Sequence, residues 1–574
     1  MEITTQTPLV DDELMAKLKA EKQAALDFQK RRHEEWTDSY ELYRNKVKTN
    51  RLTQRQAVVV PLMKESLKTL YSEIDEIPTL EFKELGGDRQ KELFLQARWD
   101  NDSDRMNFEG IDAIDKKTAL LYGRAFKKLN FTDGEFEVYN LDNFDVLIDP
   151  LVNPLDIETA RYITHQNIFR SLRDILADDK YEQEAKNRLK TYVNSKDLLI
   201  QSGINQEILK AKEDRLKSMG VENEDFALFS AGDVILNLTE HYTLLWDKTK
   251  KKFVRYVIVY VDDTIRLYKA PLKDEIGVDF LPFVTWGEDM ETQDFWSDGP
   301  ADLIRTPNKI LNVFFSQMIE NRALKNFQMH WYDSGGNWVP QTFEPRPGAM
   351  LPAPPAGPGK SIADVLQPVE VSGLEDVMVQ MDFLIKLIER GTSATATQKG
   401  VSEKNQITLG EVNLMLGQAK EKALSMAKFY RRSHKELGMK YWQMLEANDT
   451  GKRTLYKVSS KGKVYPKDIK PSDWISKDGY RVEVKSSSEQ EAESLQSIQK
   501  WQVIKNNFLD NPVVARIAAR RTLEIGDVTP EELREIEEYE KKKAEMPQQP
   551  MQPPAQGQVQ NPQPQPAQTL TAPV

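Results

Sequence analysis

Apolar and aromatic side chains recur at helical spacing near the N-terminus, at Leu14, Leu18, Leu26, Trp36, Tyr40 and Tyr43, so residues 11–47 are predicted as one or two long helices. Further helices are predicted after Pro61 and from about Asp88 to Tyr122. Between Arg124 and Phe169 the period shortens. FKKLNF, FEVYNL, FDVLIDP and RYITHQNIF alternate apolar and polar positions between Asp-Gly and Asp-Pro turns, and read as strands. Charge-rich helical sequence resumes to about Asn223, followed by VILNLTEHYTLLWDKTKKKFVRYVIVYVDDTIRLYKA, a strand meander with polar turns. The first half is therefore a mixed α and β body.

The middle of the chain carries two amphipathic rods. Thr306-Pro307 reads as a helix start, threonine as cap and proline in the first turn, followed by Leu311, Phe314 and Met318 to about Phe327, roughly 30 Å of helix. A second rod is predicted from Ser372, with Glu375 completing a capping box and Leu374, Val377, Met381, Leu384 and Ile388 forming one apolar face. Between the rods, residues 328–371 are rich in Gly, Pro and aromatics, which suits a small protruding subdomain. GTSATATQKGVSEKN, from Gly391 to Asn405, is small and polar and is predicted as a mobile loop. A long helix follows from Thr408 to Ala447. Strand-like alternation over Thr454–Lys485 could join the first-half sheet, and helix starts recur at Ser488, Asn511-Pro512 and Thr529-Pro530. The last 29 residues hold eight prolines, nine glutamines and no charge, a composition predicted to stay disordered.

Composition narrows the function. At 574 residues with 39% apolar content, several domains are expected. The absence of cysteine excludes disulfides and thiolate chemistry. No run is apolar enough to span a membrane, and MEITTQTPLVDDEL lacks the basic-then-apolar pattern of a secretory signal. A net charge of -11 is the wrong sign for gripping nucleic acid over the whole surface, so any such contact must be local.

Two motifs suggest enzymes and then weaken. PAPPAGPGKSI ends in the Gly-Lys-Ser of a P-loop, but Pro354 stands where the first glycine belongs, and Pro355 and Pro358 remove N–H donors from the would-be cradle. YVDD, Tyr260–Asp263, matches the metal-binding tetrad of reverse transcriptases, yet an Asp-Asp turn between two apolar strands accounts for it. The five histidines, His33, His165, His241, His330 and His434, have no ligand spacing. No catalytic residue, metal or cofactor is expected.

The order of elements, with NFDVLIDPLVNPLDIETARYITHQ and WSDGPADLIRTPNKILN, resembles the portal, or head-to-tail connector, proteins of tailed double-stranded DNA bacteriophages over about Arg31 to Leu509. The resemblance implies an α+β, mostly helical fold that assembles into a ring of about twelve copies at one capsid vertex. It implies a wing (1–290), a first stem helix region (291–328), a clip (329–371), a second stem helix (372–390), a tunnel loop (391–405), a long helix returning to the wing (406–487), a helical crown (488–545) and a disordered tail (546–574). Leu311, Phe314, Met318, Val377, Met381, Leu384 and Ile388 would pack the stem. Lys399 and Lys404 of the tunnel loop would lie near DNA, and Trp331, Trp338, Arg346 and Lys360 would belong to the clip's docking surface. The implied partners are other copies of the chain, the major capsid protein, a scaffold, the large terminase subunit, head-tail adaptor or tail proteins, and the DNA passing through. The implied place is the virion, assembled in the host cytoplasm. Two other classes stay open: a viral scaffold or adaptor without a channel, and a nucleic-acid enzyme using the GKS or YVDD motif.

Overall fold

The computed structural model describes residues 8–46, 58–74, 78–195 except 133, 234–333 except 248–250 and 290, 348–353, 366–369, 375–392, 409–485 except 450, 452 and 459–463, and 496–504, with 506, 518 and 522. They fall in two units: Met1–Lys457 with Pro466–Gln490, and Val458–Tyr465 with Glu491–Val574. In the second unit, residues 496–504 are helical; most of the predicted C-terminal helices lie outside the described residues, as does the whole Pro/Gln-rich tail.

The first unit opens with helix α1 (Pro8–Tyr43), unbroken because no Gly or Pro interrupts it after its first residue. Helix α2 (Leu62–Glu73) starts directly after Pro61, and strand β1 (Thr79–Glu84), unread in the sequence, follows it. The single helix predicted for Asp88–Tyr122 is two. Helix α3 (Arg89–Arg105) is capped by the Asp88 carboxylate, which accepts the N–H groups of Gln90 and Lys91. Helix α4 (Phe108–Tyr122) starts anew because Asn107 adopts a left-handed φ of 52° that no helix continues. Gly123 ends α4 at φ +81°, and a Cβ there would come within 1.9 Å of the Ser297 carbonyl oxygen.

Strands β2 (Arg124–Thr132), β3 (Glu135–Leu141), β4 (Val146–Ile148) and β5 (Tyr162–Ser171) coincide with the four alternating runs. Helices α5 (Leu172–Ala177) and α6 (Gln183–Ser195) precede the meander of β6 (Ile235–Asp247), β7 (Lys252–Val261) and β8 (Ile265–Pro271). Helix α7 (Leu272–Ile276) leads into β9 (Phe283–Gly287). Strands β4-β5-β6-β7-β8 form one antiparallel sheet, and β2 is the centre of a second, β3-β2-β9. Asp262 and Asp263 both take left-handed φ, 48° and 55°, so YVDD is the turn between β7 and β8. Their carboxylates are held by the Tyr192 hydroxyl at 3.3 Å and Lys22 at 2.7 Å.

The first rod is helix α8 (Pro300–Asn326), which begins seven residues before the predicted Pro307. Gly299 is extended, its N–H bonds the Asp302 carboxylate at 2.9 Å, and Pro300 occupies the first turn, so an earlier and complete start signal wins. Pro307 therefore lies inside the helix, where its missing N–H removes one rung. Three short strands follow, β10 (His330–Asp333), β11 (Met350–Ala353) and β12 (Leu366–Pro368), before the second rod, α9 (Glu375–Thr392). Gly391 and Thr392 still belong to α9, the Thr392 hydroxyl bonding the Ile388 carbonyl, rather than to the predicted loop. Helix α10 (Leu409–Asn448) runs as predicted. Strands β13 (Arg453–Val458) and β14 (Val464–Ile469) form a small sheet, and after helix α11 (Pro471–Trp474) strand β15 (Tyr480–Lys485) pairs antiparallel with β1.

Two apolar clusters dominate this α+β unit. One gathers the aromatic residues Trp36, Trp99, Phe108, Phe126, Phe136, Phe283, Trp296 and Tyr441 between α1, α3, α4, the β2 sheet and α10. The other joins α2, α4 and both rods.

Candidate functional site

The two rods and what lies at their ends form the candidate site. Helix α8 is fixed at its N-terminal end by α1. Arg32 of α1 donates to the Trp296 carbonyl at 2.7 Å and lies 2.5 Å from Asp298 and 3.4 Å from Asp294. Burial alone would weaken its charge, but the hydrogen-bonded Asp298 and the other carboxylates raise its pKa and keep it ionised. Arg305 reaches Asp302 and the Glu35 carbonyl, and Lys309 reaches Asp38 at 2.5 Å. Further along, Asn312 and Ser316 accept backbone N–H groups of Val60 and Val58. The first half of α8 is therefore held by charge and the second by polar rungs and apolar packing.

Of the eight rod residues singled out in the sequence, Leu374 lies outside the described residues; Leu311, Met381 and Ile388 are buried in one cluster, with Phe314, Met318, Val377 and Leu384 partly buried against it. The rods thus meet along the faces their spacing indicates, and these seven side chains come together. The sequence reading missed a second stripe on α9. Met378, Val379, Phe383 and Leu387 are exposed at 66%, 72%, 65% and 44%, and Leu303 and Ile310 of α8 are exposed as well. The signal was present in VMVQMDFLIKLI, which carries more apolar residues than one buried face can use.

Between the rods, β10 is the central strand of a three-stranded sheet, parallel to β11 and antiparallel to β12. This sheet and the end of α8 present Phe327, Trp331, Tyr332 and Met350 to solvent. Trp331 stands there with its ring partly exposed. Trp338, Arg346 and Lys360, with the GKS triplet, lie outside the described residues, as do Lys399 and Lys404. The structure therefore brings the rod residues together and places Trp331 at the rod end, and it describes none of the predicted basic contacts.

Helix α10 is anchored by a buried charge cluster that the sequence did not signal. Asp112 and Asp115 project from α4, one turn apart, toward Lys127 on β2; Lys127 Nζ lies 3.2 Å from Asp112 Oδ1 and 2.5 Å from Asp115 Oδ2. Lys116 lies 3.3 Å from Asp112, and the Tyr430 hydroxyl of α10 donates to the same carboxylate. His434 Nε2 sits 3.1 Å from Asp112 Oδ1 without the alignment of a hydrogen bond. Burial would raise the pKa of Asp112, but the Lys127 charge, the adjacent His434 ring and the Lys116 charge hold it well below the usual carboxylate range. Burial pushes Asp115 up and His434 down. Two carboxylates and two ammonium groups balance with His434 neutral, which is what an interior site tolerates.

Among the described residues, no group of three or more His, Cys, Asp or Glu side chains is arranged to hold a metal ion, and no helix is long and apolar enough to cross a membrane. The sequence model of one protein family, described as "Phage SU10 portal protein", matches residues 38–571. No curated protein matches the chain.

Proposed function

The chain belongs to the phage portal protein family, and from that premise we propose that copies of it close into a ring at one vertex of the capsid and form the channel through which the genome is packaged and later ejected. In this reading residues 1–290 are the wing, α8 with its approach (291–328) and the second rod (372–390) are the stem, and 329–371 are the clip. Residues 391–405 are the tunnel loop, 406–487 return to the wing, 488–545 form the crown and 546–574 are the Pro/Gln-rich tail.

The observation that supports the ring is the second apolar stripe on α9. Met378, Val379, Phe383 and Leu387 have no cover within the described chain, although Val377, Met381, Leu384 and Ile388 already fill the contact with α8. Burying a side chain of this size contributes about 1.5–3 kcal/mol, so four per copy favour association strongly. In a ring the natural cover is the neighbouring copy's stem, a heterologous contact that closes on itself. Shape and assembly, not catalysis, then carry the function. The exposed Trp331 and Tyr332 at the rod end suit docking of the terminase and afterwards of adaptor or tail proteins, since aromatic side chains supply much of the energy at such interfaces. Lys399 and Lys404 give weak, reversible contacts to DNA phosphates, while the net charge of -11 disfavours tight holding. The wing and crown face the capsid protein, scaffold and interior.

The test is the native mass of the purified chain and of Phe383→Glu. The reading expects a large closed multiple of the 66.1 kDa chain that falls to monomer in the variant with helical content unchanged. An oligomer indifferent to Phe383→Glu would remove the stripe as its basis.

A further inference from the structure

We propose that Lys127 and Asp115 become joined, in the folded chain and without any other protein, by an intramolecular amide bond between Lys127 Nζ and Asp115 Cγ. The inference rests on the cluster behind α10 and on no part of the portal reading.

Three features of that cluster carry it. Lys127 Nζ and Asp115 Oδ2 are 2.5 Å apart, and both side chains are almost fully buried. Groups held this close and dry react as one molecule rather than two, which removes much of the entropic barrier to condensation. Second, Asp115 is half-served. Its Oδ2 accepts the Trp286 indole N–H at 2.6 Å, whereas its buried Oδ1 has no hydrogen-bond partner. A buried carboxylate with an unserved oxygen is costly and calls for an explanation. Third, a second carboxylate, Asp112, touches the same ammonium at 3.2 Å and can take and return a proton.

The amide resolves each of these. Oδ1, the oxygen without a partner, leaves as water. Oδ2 remains as the amide oxygen, still bonded by Trp286. The single remaining N–H on Lys127 points to Asp112 Oδ1. Two opposite charges vanish from an interior site.

The atoms balance without a co-reactant. The Lys127 ammonium first gives a proton to the Asp115 carboxylate, whose pKa burial already pushes upward. The free amine attacks Cγ, and Asp112 accepts the second proton. The attack forms the C–N bond; proton transfer within the tetrahedral intermediate and from Asp112 places both protons on Oδ1, and collapse breaks Cγ–Oδ1 and releases that oxygen as one water. Asp112 becomes a better base during the step, because the Lys127 charge that helps hold its pKa down disappears. The rings of Phe108 and Tyr430, 5.9 and 6.0 Å from Nζ, shield the site from bulk water and slow the reverse hydrolysis.

Mass spectrometry of the natively purified full chain tests this. The intact mass is expected to be one water below the sequence mass. Because Asp-Gly pairs can also lose water, the linkage must be located: trypsin should yield a branched peptide joining residues 106–116 to residues 125–128, uncut after Lys127. Asp115→Asn should give the same branched peptide by releasing ammonia, and Lys127→Arg should give none. Asp112→Ala should leave the two segments separate although Lys127 and Asp115 remain. Wild-type protein of full sequence mass that yields only the separate peptides overturns the proposal, whatever the variants do.

Discussion

The side-chain oxygen of Asn312 accepts the backbone N–H of Val60 at 2.8 Å, across 252 residues of sequence. One turn along α8, Ser316 Oγ accepts the N–H of Val58 at 3.1 Å. Residues 58–60 lie outside every strand, so the rod supplies the partners that a sheet would otherwise provide. One turn the other way, Asn308 is fully buried and neither of its side-chain polar atoms has a hydrogen-bond partner.

This contrast makes a paired prediction. Asn312→Leu strands the Val60 N–H and should cost about 1–3 kcal/mol, whereas Asn308→Leu removes an unserved amide and should be neutral or stabilising. Urea unfolding of the two variants beside the wild type decides it. Equal losses would mean that Asn308 is served after all.

The five-stranded sheet of β4 to β8 should lose stability in mild acid. His241 is fully buried, its Nε2 2.9 Å from Glu21 Oε2 and its Nδ1 2.9 Å from Thr164 Oγ1. That arrangement serves a neutral ring, which donates to Glu21 and accepts from the Thr164 hydroxyl. Burial lowers its pKa below the ordinary 6.5 despite the Glu21 charge, so the unfolded chain takes up this proton first as pH falls. The contribution is whole above 6.5 and declines as pH drops toward the folded value. Burial opposes it, but the His241 hydrogen bond, the Lys17 charge and the Thr243 hydrogen bond hold Glu21 below its usual range, so its own contribution fades only at lower pH. Melting temperatures between about pH 7.5 and about pH 5 should fall, and His241→Gln should flatten the profile. An unchanged slope in that variant would assign the loss elsewhere.

Trp331→Ala should leave assembly intact and weaken binding of the terminase large subunit by tenfold or more, of the order of 1.4 kcal/mol. Surface plasmon resonance on assembled protein measures it. Unaltered affinity would place the docking surface away from this sheet.

Lys399→Glu with Lys404→Glu, or removal of residues 393–405, should preserve the assembled state and reduce DNA packaged per particle, read by nuclease protection. Loss of assembly instead would mean that this segment is a packed element rather than a channel loop.

Much of the fold was legible because period and punctuation agree. The four strands after Arg124, the Asp262-Asp263 turn and helix α10 follow from alternation, turn chemistry and uninterrupted helical spacing. The start of α8 was misread because Thr306-Pro307 is a sound local signal, and only the stronger Gly299-Pro300-Ala-Asp302 start overrides it. Strand β1 was missed because its partner, β15, lies about 400 residues away, and pairing at that range leaves no local mark. The same holds for the site. Rod faces show in the spacing of Leu311 or Met381, whereas the Asp112, Lys127 and His434 cluster and the Asn312 rung depend on contacts between distant elements.

The central claim is the ring, and electron microscopy of the purified full-length chain, with averages sorted by symmetry, tests it most directly. Closed rings around a central hole, of about twelve copies, are the expected result. Compact particles without a hole, or dimers whose two α9 stripes face each other, would contradict it.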